Sequence, residues 1–226
     1  KNVFISMASH ELKTPLTSVL MSAQIMQQHK DRYGEKSAML GTKIEGQVKK
    51  MMVMIQDFLS VAEVDEGKLQ LNQSCFALEK LMKECIDDMR SEYRKHDFTV
   101  SCDPSIHIFA DRPKIDQVLG NLLSNAVKYS PLGGIIDLGA EKLGENIRIY
   151  VRDQGMGIDE KHARNIFKAF YRVDNLNTSN ISGFGIGLYV ASEILRSHGS
   201  RIEVKSKKGS GSTFYFDLPA RISTIS

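Results

Sequence analysis

What decides the first half of the fold is the stretch Phe4-Ile-Ser-Met-Ala-Ser-His10-Glu11-Leu-Lys-Thr14-Pro15-Leu16. An ideal helix turns about 100° per residue, because it has about 3.6 residues per turn. On that wheel the apolar side chains lie opposite His10, so the stretch predicts an amphipathic helix with the imidazole on its polar face. Glu11 is the next residue, and Thr14 lies one turn away on the same side. This grouping is typical of a nucleophile with activating groups beside it, although a single histidine on a polar face is more often simply exposed to solvent.

A second helix is predicted after a short polar turn at 29–34. Its apolar side chains lie within about 60° of one line on the helical wheel; they are Ile44, Val48, Met51, Ile55, Phe58, Leu59 and Ala62. Two such helices form an antiparallel hairpin. Pairing with a second copy into a dimeric four-helix bundle would bury both stripes; the alternative is that they pack on the C-terminal part of the same chain. The polar stretch 64–68 predicts a boundary between domains 1–66 and 67–226.

Composition excludes several classes of protein. The 226 residues are 42% hydrophobic, and 30 basic against 27 acidic side chains leave a net charge of only +3, which argues against nucleic acid and anionic membranes as partners. Three widely spaced cysteines predict neither a disulfide framework nor a metal site, and fit a reducing compartment. No apolar run approaches the ~20 residues of a membrane span. Because the chain starts at Lys1 inside a helical pattern, we interpret it as a fragment of a longer protein.

Beyond Leu69 the pattern changes to short alternating strands interleaved with helices. Strands are predicted around 69–71, 98–102, 106–110, 136–140, 147–151, 202–204 and 214–218, and helices at about 78–89, 113–127 and 186–197. This order indicates an α+β sandwich, in which helices cover one face of one mixed sheet.

One helical face of the second domain carries polar side chains that suit a nucleotide. Asn121, Asn125, Lys128 and Tyr129 lie within about 60° of Asn125 on the wheel. Two amide oxygens, an ammonium and a ring suit hydrated Mg²⁺, phosphates and a base, because Mg²⁺ takes few protein oxygens and keeps its waters. Asparagine is unfavourable inside helices, so a purely structural role would cost stability.

Three glycine-containing segments follow. Asp153-Gln-Gly155-Met-Gly157 ends a strand, and its glycines would let a ligand approach the backbone closely; a strand-ending turn is the simpler alternative. Gly183-Phe-Gly185-Ile-Gly187 leads into a helix, whose N-terminal amides favour phosphate. Residues 174–182 between them predict a mobile flap. The third segment, Gly209-Ser-Gly-Ser-Thr213, is a glycine turn before a strand.

In this order the motifs resemble the catalytic core of sensor histidine kinases over nearly the whole chain. The stretch around His10 is similar to the phospho-acceptor box of that family, and 121–129 to its N box. The segments 153–158 and 183–188 resemble its two glycine boxes, and 167–172 its phenylalanine box. Phe184 stands where many members carry leucine.

The resemblance implies a dimerising helical hairpin and an ATP-binding α+β domain of the Bergerat, or GHKL, type. It implies that His10 attacks the γ-phosphate of ATP and that Glu11 orients it. Thr14 would take part in phosphatase activity toward the phosphorylated partner. The residues implied to bind ATP are Asn121, Asn125, Lys128, Tyr129, Asp153, Gly155, Gly157, Arg172, Gly183, Gly185, Gly187 and Thr213. Asn125 with Asn121 would hold Mg²⁺, and Thr213 would lie near Asp153.

The implied partners are a second copy of the chain and the receiver domain of a response regulator, with no nucleic acid and no membrane contact from this fragment. The implied location is the cytoplasm, within a longer bacterial sensor of a class that includes membrane-anchored proteins. Two alternatives stay open: an ATPase module like those of gyrases or chaperones, which gives no role to His10, and a non-catalytic dimeric signalling scaffold.

Overall fold

The computed structural model describes residues 16–22, 24, 25, 39–48, 51, 55, 61, 70–173 and 185–221. The chain divides into two compact units, Lys1–Ala62 and Glu63–Ser226. Among the described ranges, no helix is both long and apolar enough to cross a membrane.

The described residues of the first unit are helical. Residues 16–22, 24 and 25 fall in the first predicted helix, and 39–48, 51, 55 and 61 fall in the second. Several apolar side chains of this unit are more than two fifths exposed in the single chain, namely Leu16, Leu20, Met21, Ile25, Met39, Val48 and Ile55. The turn between the helices lies outside the described residues, so the predicted hairpin stays a prediction.

The second unit is built on a seven-stranded mixed sheet. Its strands are β1 (Ser74–Ala77), β2 (His96–Ser101), β3 (His107–Ala110), β4 (Gly134–Leu143), β5 (Asn146–Asp153), β6 (Ile202–Ser206) and β7 (Ser212–Arg221). The strand order is β1-β3-β7-β5-β4-β2, and β6 also pairs with β7. Among the strand pairs of the described residues, only β2–β4 is parallel.

The helices of this unit are α1 (Leu78–Glu92), α2 (Arg112–Lys128), α3 (Glu160–Ala163) and α4 (Gly187–Ser197). α1 packs on β2, α2 on β4 and β5, and α4 on α2 and β6. Alternate residues of the central strands are buried, as in Ile147, Ile149 and Val151 of β5. This alternation is what a sheet covered on one face by helices requires, and it confirms the predicted α+β architecture.

The prediction failed at the start of the sheet. Leu71 lies in irregular backbone, and the first strand is Ser74–Ala77, antiparallel to β3. Two leucines two residues apart satisfied the strand period, but a period of two over three residues cannot identify a strand. The position of β1 is determined instead by its pairing with β3, in which Cys75 lies opposite Phe109.

Candidate functional site

Helix α2 presents the predicted polar face at its C-terminal half. Asn121 and Asn125 are partly buried one turn apart, and Lys128 is exposed at the last helical position. Tyr129 is the C-cap, not a helical residue, and its N–H donates to the Asn125 carbonyl over 2.9 Å. Burial raises the pKa of the Tyr129 hydroxyl, and the nearby Arg172 guanidinium opposes that shift. The ring therefore lies in a sheltered position close to a cation.

Asp153 ends β5 as a buried carboxylate, only 5% exposed. Its Oδ1 accepts the N–H of Gly155 over 2.8 Å and that of Ser212 over 3.2 Å. Burial raises the pKa of the carboxyl, and the two backbone hydrogen bonds oppose the rise. Among the described residues no hydrogen bond ends on the other oxygen, Oδ2. The carboxylate is therefore held in one orientation with one acceptor oxygen available to a ligand.

The first glycine segment lies directly against the end of α2. A Cβ on Gly155 would overlap the Tyr129 carbonyl oxygen and stand 2.7 Å from the Ser130 hydroxyl. The next amide, of Met156, donates to the same Tyr129 carbonyl over 3.0 Å. Only glycine permits this approach. As a result Tyr129 and Asp153 lie on two sides of the place where the end of α2 meets the end of β5, which we call the corner.

A hydroxyl network supports this corner from the other side. The Ser206 hydroxyl accepts the Ile158 N–H over 2.8 Å and donates to the Gly211 carbonyl over 2.9 Å. It also lies 3.0 Å from the Ser212 hydroxyl. Since Ser212 N–H donates to Asp153, the glycine segment, the β6–β7 turn and the carboxylate form one connected unit. Nothing in the sequence signalled Ser206, because its partners are remote along the chain.

The structure corrects the prediction for Thr213. Across the β5–β7 pair Thr213 lies opposite Arg152, and Ser212 lies opposite Asp153. Directly opposed residues share a face of the sheet, and neighbours along a strand alternate. Thr213 therefore points to the outer face with Arg152, away from Asp153, and the buried Ser212 takes the place predicted for it. A difference of one residue along a strand exchanges the two faces of the sheet.

The second glycine segment meets both α2 and the phenylalanine box. A Cβ on Gly187 would stand 3.2 Å from Asn121 Oδ1, so the start of α4 lies against the first asparagine. Gly185 adopts φ +70, and its carbonyl accepts the Phe170 N–H over 3.1 Å. A Cβ there would also stand 3.2 Å from Arg172 Cγ. These contacts bring Asn121, Gly185, Gly187 and Arg172 together.

The phenylalanine box has an ordered anchor of its own. Phe167 packs edge-on against Phe214 of β7, with ring centroids 6.4 Å apart. Phe170 has φ 64, the one positive value among the described non-glycine residues. The Tyr171 hydroxyl lies 2.6 Å from His162 Nδ1 of α3. Arg172 thus follows a fixed segment, whereas the predicted flap at 174–182 and Gly183 lie outside the described residues.

His10, Glu11 and Thr14 also lie outside the described residues. The structure brings together nine of the twelve residues predicted to bind ATP: Asn121 and Asn125 on α2 with its C-cap Tyr129, Asp153, Gly155 and Gly157 beside that C-cap, and Arg172, Gly185 and Gly187 across from α2. Gly157, at φ +65, packs on the Lys207 carbonyl and continues the corner toward the β6–β7 turn.

The side chains near α2 fit a metal ion that is bound mainly by the nucleotide and only in part by the protein. Within the described ranges there is no cluster of three or more histidine, cysteine, aspartate or glutamate side chains. The asparagine oxygens on α2 are neutral, hard donors. Such a set suits Mg²⁺, which binds few protein oxygens and completes its shell with phosphates and water.

Comparison with known proteins agrees with this arrangement. Residues 110–222 match the family described as histidine kinase-, DNA gyrase B- and HSP90-like ATPases, and residues 1–67 match the His Kinase A (phospho-acceptor) domain. The chain is 32% identical over 222 residues to the sensor histidine kinase WalK of Bacillus subtilis. The aligned region covers 96% of this chain but only 36% of WalK. It therefore spans about a third of that relative's length.

Solved structures show the same fold. The histidine kinase AdeS of Acinetobacter baumannii aligns with a TM-score of 0.72 and 22% identity, over 95% of this chain and 98% of that one. The histidine kinase ThkA, solved in complex with the response regulator protein TrrA, aligns with a TM-score of 0.70 and 24% identity, over 98% of this chain and 62% of that one. On the two family matches, the chain belongs to the family of histidine kinase-, DNA gyrase B- and HSP90-like ATPases. The phospho-acceptor domain and the ATPase domain that follows it together form a histidine kinase catalytic core.

Proposed function

We propose that this core transfers the γ-phosphoryl group of ATP to His10 and then to an aspartate of a response regulator, as part of a two-component sensor. The observation that carries the proposal is the position of α2, which contacts Gly187 through Asn121 and, at its C-cap Tyr129, contacts the glycine segment that holds the buried Asp153 carboxylate. It joins a metal- and phosphate-binding region to a base-binding corner, within a chain whose relatives are named sensor histidine kinases.

The base-binding role belongs to the corner between α2 and β5. Asp153 Oδ2 would accept the exocyclic amine of adenine, and Tyr129 would lie against the ring. Ser212 orients the carboxylate through its N–H. A carboxylate that is already desolvated and held by two backbone donors loses little freedom when the base binds.

The phosphate-binding role belongs to the other side of α2. The amides at the start of α4, next to Gly185 and Gly187, would bind phosphate oxygens, since a helix N-terminus favours anions. Lys128 and Arg172 would contact the same groups. Asn125, with Asn121, would hold Mg²⁺, which neutralises charge on the phosphates when it is bound. Phosphoryl transfer depends chiefly on such positioning and charge stabilisation.

His10 would supply the nucleophile. A neutral imidazole is available at pH 7 because its reference pKa is about 6.5. Glu11 would orient the ring and take its proton as the N–P bond forms and the bond from phosphorus to the ADP oxygen breaks. Thr14, one turn further along the predicted helix, would orient water against the phospho-aspartate of the regulator, which would add phosphatase activity.

The first unit would act as a dimer. Exposed apolar residues such as Leu16, Leu20 and Ile25 are costly in a single chain, and a second copy would bury them in a four-helix bundle. The proposed boundary separates a dimerisation domain, 1–66, from an ATP-binding domain, 67–226. The regulator partner rests on the relatives and on the ThkA–TrrA pair. The reaction would take place in the cytoplasm, where ATP is available.

The test is labelling with γ-³²P-ATP. We expect a label on the wild-type protein that is stable in alkali and lost in acid, as a phosphoramidate is, and that passes to a receiver domain. His10→Gln should abolish the label but leave ATP affinity within about twofold. His107→Gln, which replaces a histidine of β3, is the control and should label normally.

The alternatives give different results. An ATPase module would release phosphate without labelling the protein, and a scaffold would do neither. A normal label on the His10→Gln variant would refute the assignment of the nucleophile.

A further inference from the structure

Asp111 lies at a junction of segments that are distant in sequence. It is 5% exposed and caps the N-terminus of α2, where Oδ1 accepts the Lys114 N–H over 3.1 Å. Its second oxygen, Oδ2, accepts the Asn72 N–H over 2.7 Å. Both carboxylate oxygens are thus bound to backbone donors, so Asp111 fixes the start of α2 against the segment that leads into β1.

His198 connects the far end of α4 to the same residue. The Asp111 N–H donates to His198 Nε2 over 3.0 Å. The other ring nitrogen, Nδ1, lies 2.8 Å from the Ile194 carbonyl. A carbonyl only accepts, so Nδ1 carries the hydrogen and Nε2 is the acceptor. The two contacts therefore select one neutral tautomer, which bridges the C-cap of α4 to the N-cap of α2.

The same two helices meet again at the opposite end of α4, where Gly187 lies against Asn121 in the middle of α2. α4 has 11 residues, so its rise is about 16 Å at roughly 1.5 Å per residue. Both ends of α4 are therefore in contact with α2, one at its N-cap and the other at its middle. Release of the His198 end would let α4 tilt and would move its phosphate-binding N-terminus relative to Asn121.

We infer that His198 is a positioning residue for phosphate binding: through its bond from Asp111 it holds the start of α4 at the separation from Asn121 that ATP requires. His198 does not touch the nucleotide in this account. The inference rests on the proposed function, because it takes the start of α4 as the phosphate site and the Asp153 corner as the base site. It goes further by giving a role to a contact outside the recognised motifs.

Three substitutions separate the two bonds of the ring. His198→Gln offers a carbonyl oxygen near the Nε2 position and keeps the acceptor for Asp111. His198→Asn is too short to reach Asp111 but keeps a donor for the Ile194 carbonyl. His198→Leu loses both bonds. The dissociation constants of ATP with Mg²⁺ and of adenosine are measured by calorimetry on the full 226-residue chain, together with the thermal midpoint.

We expect His198→Asn and His198→Leu to weaken ATP binding about tenfold, which is the equivalent of one hydrogen bond to a charged phosphate lost at the displaced start of α4. Adenosine binding should stay within about twofold, because the base corner does not involve α4. His198→Gln should bind ATP within about threefold of wild type. The ratio of the ATP to the adenosine constant is the readout that a merely structural role would not move.

Loss of both affinities in equal proportion would overturn the inference, as would an unchanged ratio in His198→Asn. If His198→Leu does not fold, the Asn and Gln variants decide the result. If the wild-type chain does not bind ATP, the proposed function fails and the inference fails with it; wild-type binding with an unaffected ratio refutes the inference alone.

Discussion

Asp153→Asn is the change that tests base recognition most directly. The variant is almost isosteric, and its amide oxygen can still accept the N–H groups of Gly155 and Ser212 that now lie 2.8 and 3.2 Å from Oδ1. The group in the Oδ2 position then becomes an NH₂ donor. It would face the exocyclic amine of adenine, which is also a donor, so the recognition bond is replaced by a clash of like groups.

The magnitude follows from the burial of the carboxylate. A hydrogen bond to a charged group contributes about 1.5–3 kcal/mol. At about 1.36 kcal/mol per factor of ten, removal of this bond weakens ATP binding about 10- to 150-fold. Inosine carries an oxygen where adenosine carries the amine, so the NH₂ of the variant would donate to it. The preference for adenosine over inosine should therefore shrink or reverse.

The Asp153→Asn variant should bind ATP more weakly but should not lose folding stability. Burial raises the pKa of Asp153 in the folded protein above its unfolded value, so the ionised form is disfavoured by folding. The contribution of such a group to stability is greatest below the unfolded pKa and is lost as the pH rises through the folded pKa. At pH 7 the variant, which cannot ionise, should be at least as stable as wild type. ATP affinity of the wild type should fall as the pH drops through the raised pKa, before an ordinary aspartate, near about 3.9, would protonate.

The assay is calorimetric titration of adenosine, inosine and ATP at several pH values, with urea unfolding of the same samples. Asp217→Asn is the matched control, because it removes a carboxylate that pairs with Arg148 on the outer face of the sheet at 2.8 Å. It should leave nucleotide affinity unchanged. Equal affinities and equal base preference in the Asp153→Asn variant and wild type would refute the assignment of the base site.

Three further results are expected. Asn125→Ala should cripple Mg²⁺-dependent ATP binding because it removes an amide oxygen proposed to hold the metal, measured by titrating a non-hydrolysable analogue with and without Mg²⁺; an unchanged metal dependence would exclude Asn125 as a ligand. Gly155→Ala should destabilise by about 1–3 kcal/mol through overlap with the end of α2 and weaken ATP binding at least about fivefold, whereas Gly120→Ala, whose added Cβ would meet nothing within 4 Å, should be neutral or stabilising by up to about 1 kcal/mol. Thr14→Ala should keep labelling of His10 and slow the decay of a phosphorylated regulator in the presence of ADP; equal decay with both proteins would exclude a phosphatase role for Thr14.

Much of the second unit was predictable from local patterns. Apolar residues of α2 recur at helical spacing. An aspartate at the N-cap, Asp111, and a proline in the first turn, Pro113, are typical of the start of a helix. The alternation in β4 and β5 is equally clear, since each strand has one buried face. The asparagines of α2 were identifiable because asparagine is unfavourable inside a helix. The glycines were identifiable because glycine permits close approach to the backbone.

The sequence by itself determined the family, the order of the motifs and the local form of most elements of the second unit, because helix and strand periods are properties of neighbouring residues. Only the tertiary structure decided which motif residues share a face. Ser212, not Thr213, meets Asp153 because the register of the β5–β7 pair places Ser212 opposite it. That register joins residues 59 positions apart in the chain. The Asp111–His198 contact, 87 residues apart, was equally invisible. Such pairings follow from packing against the whole core, which no local period contains.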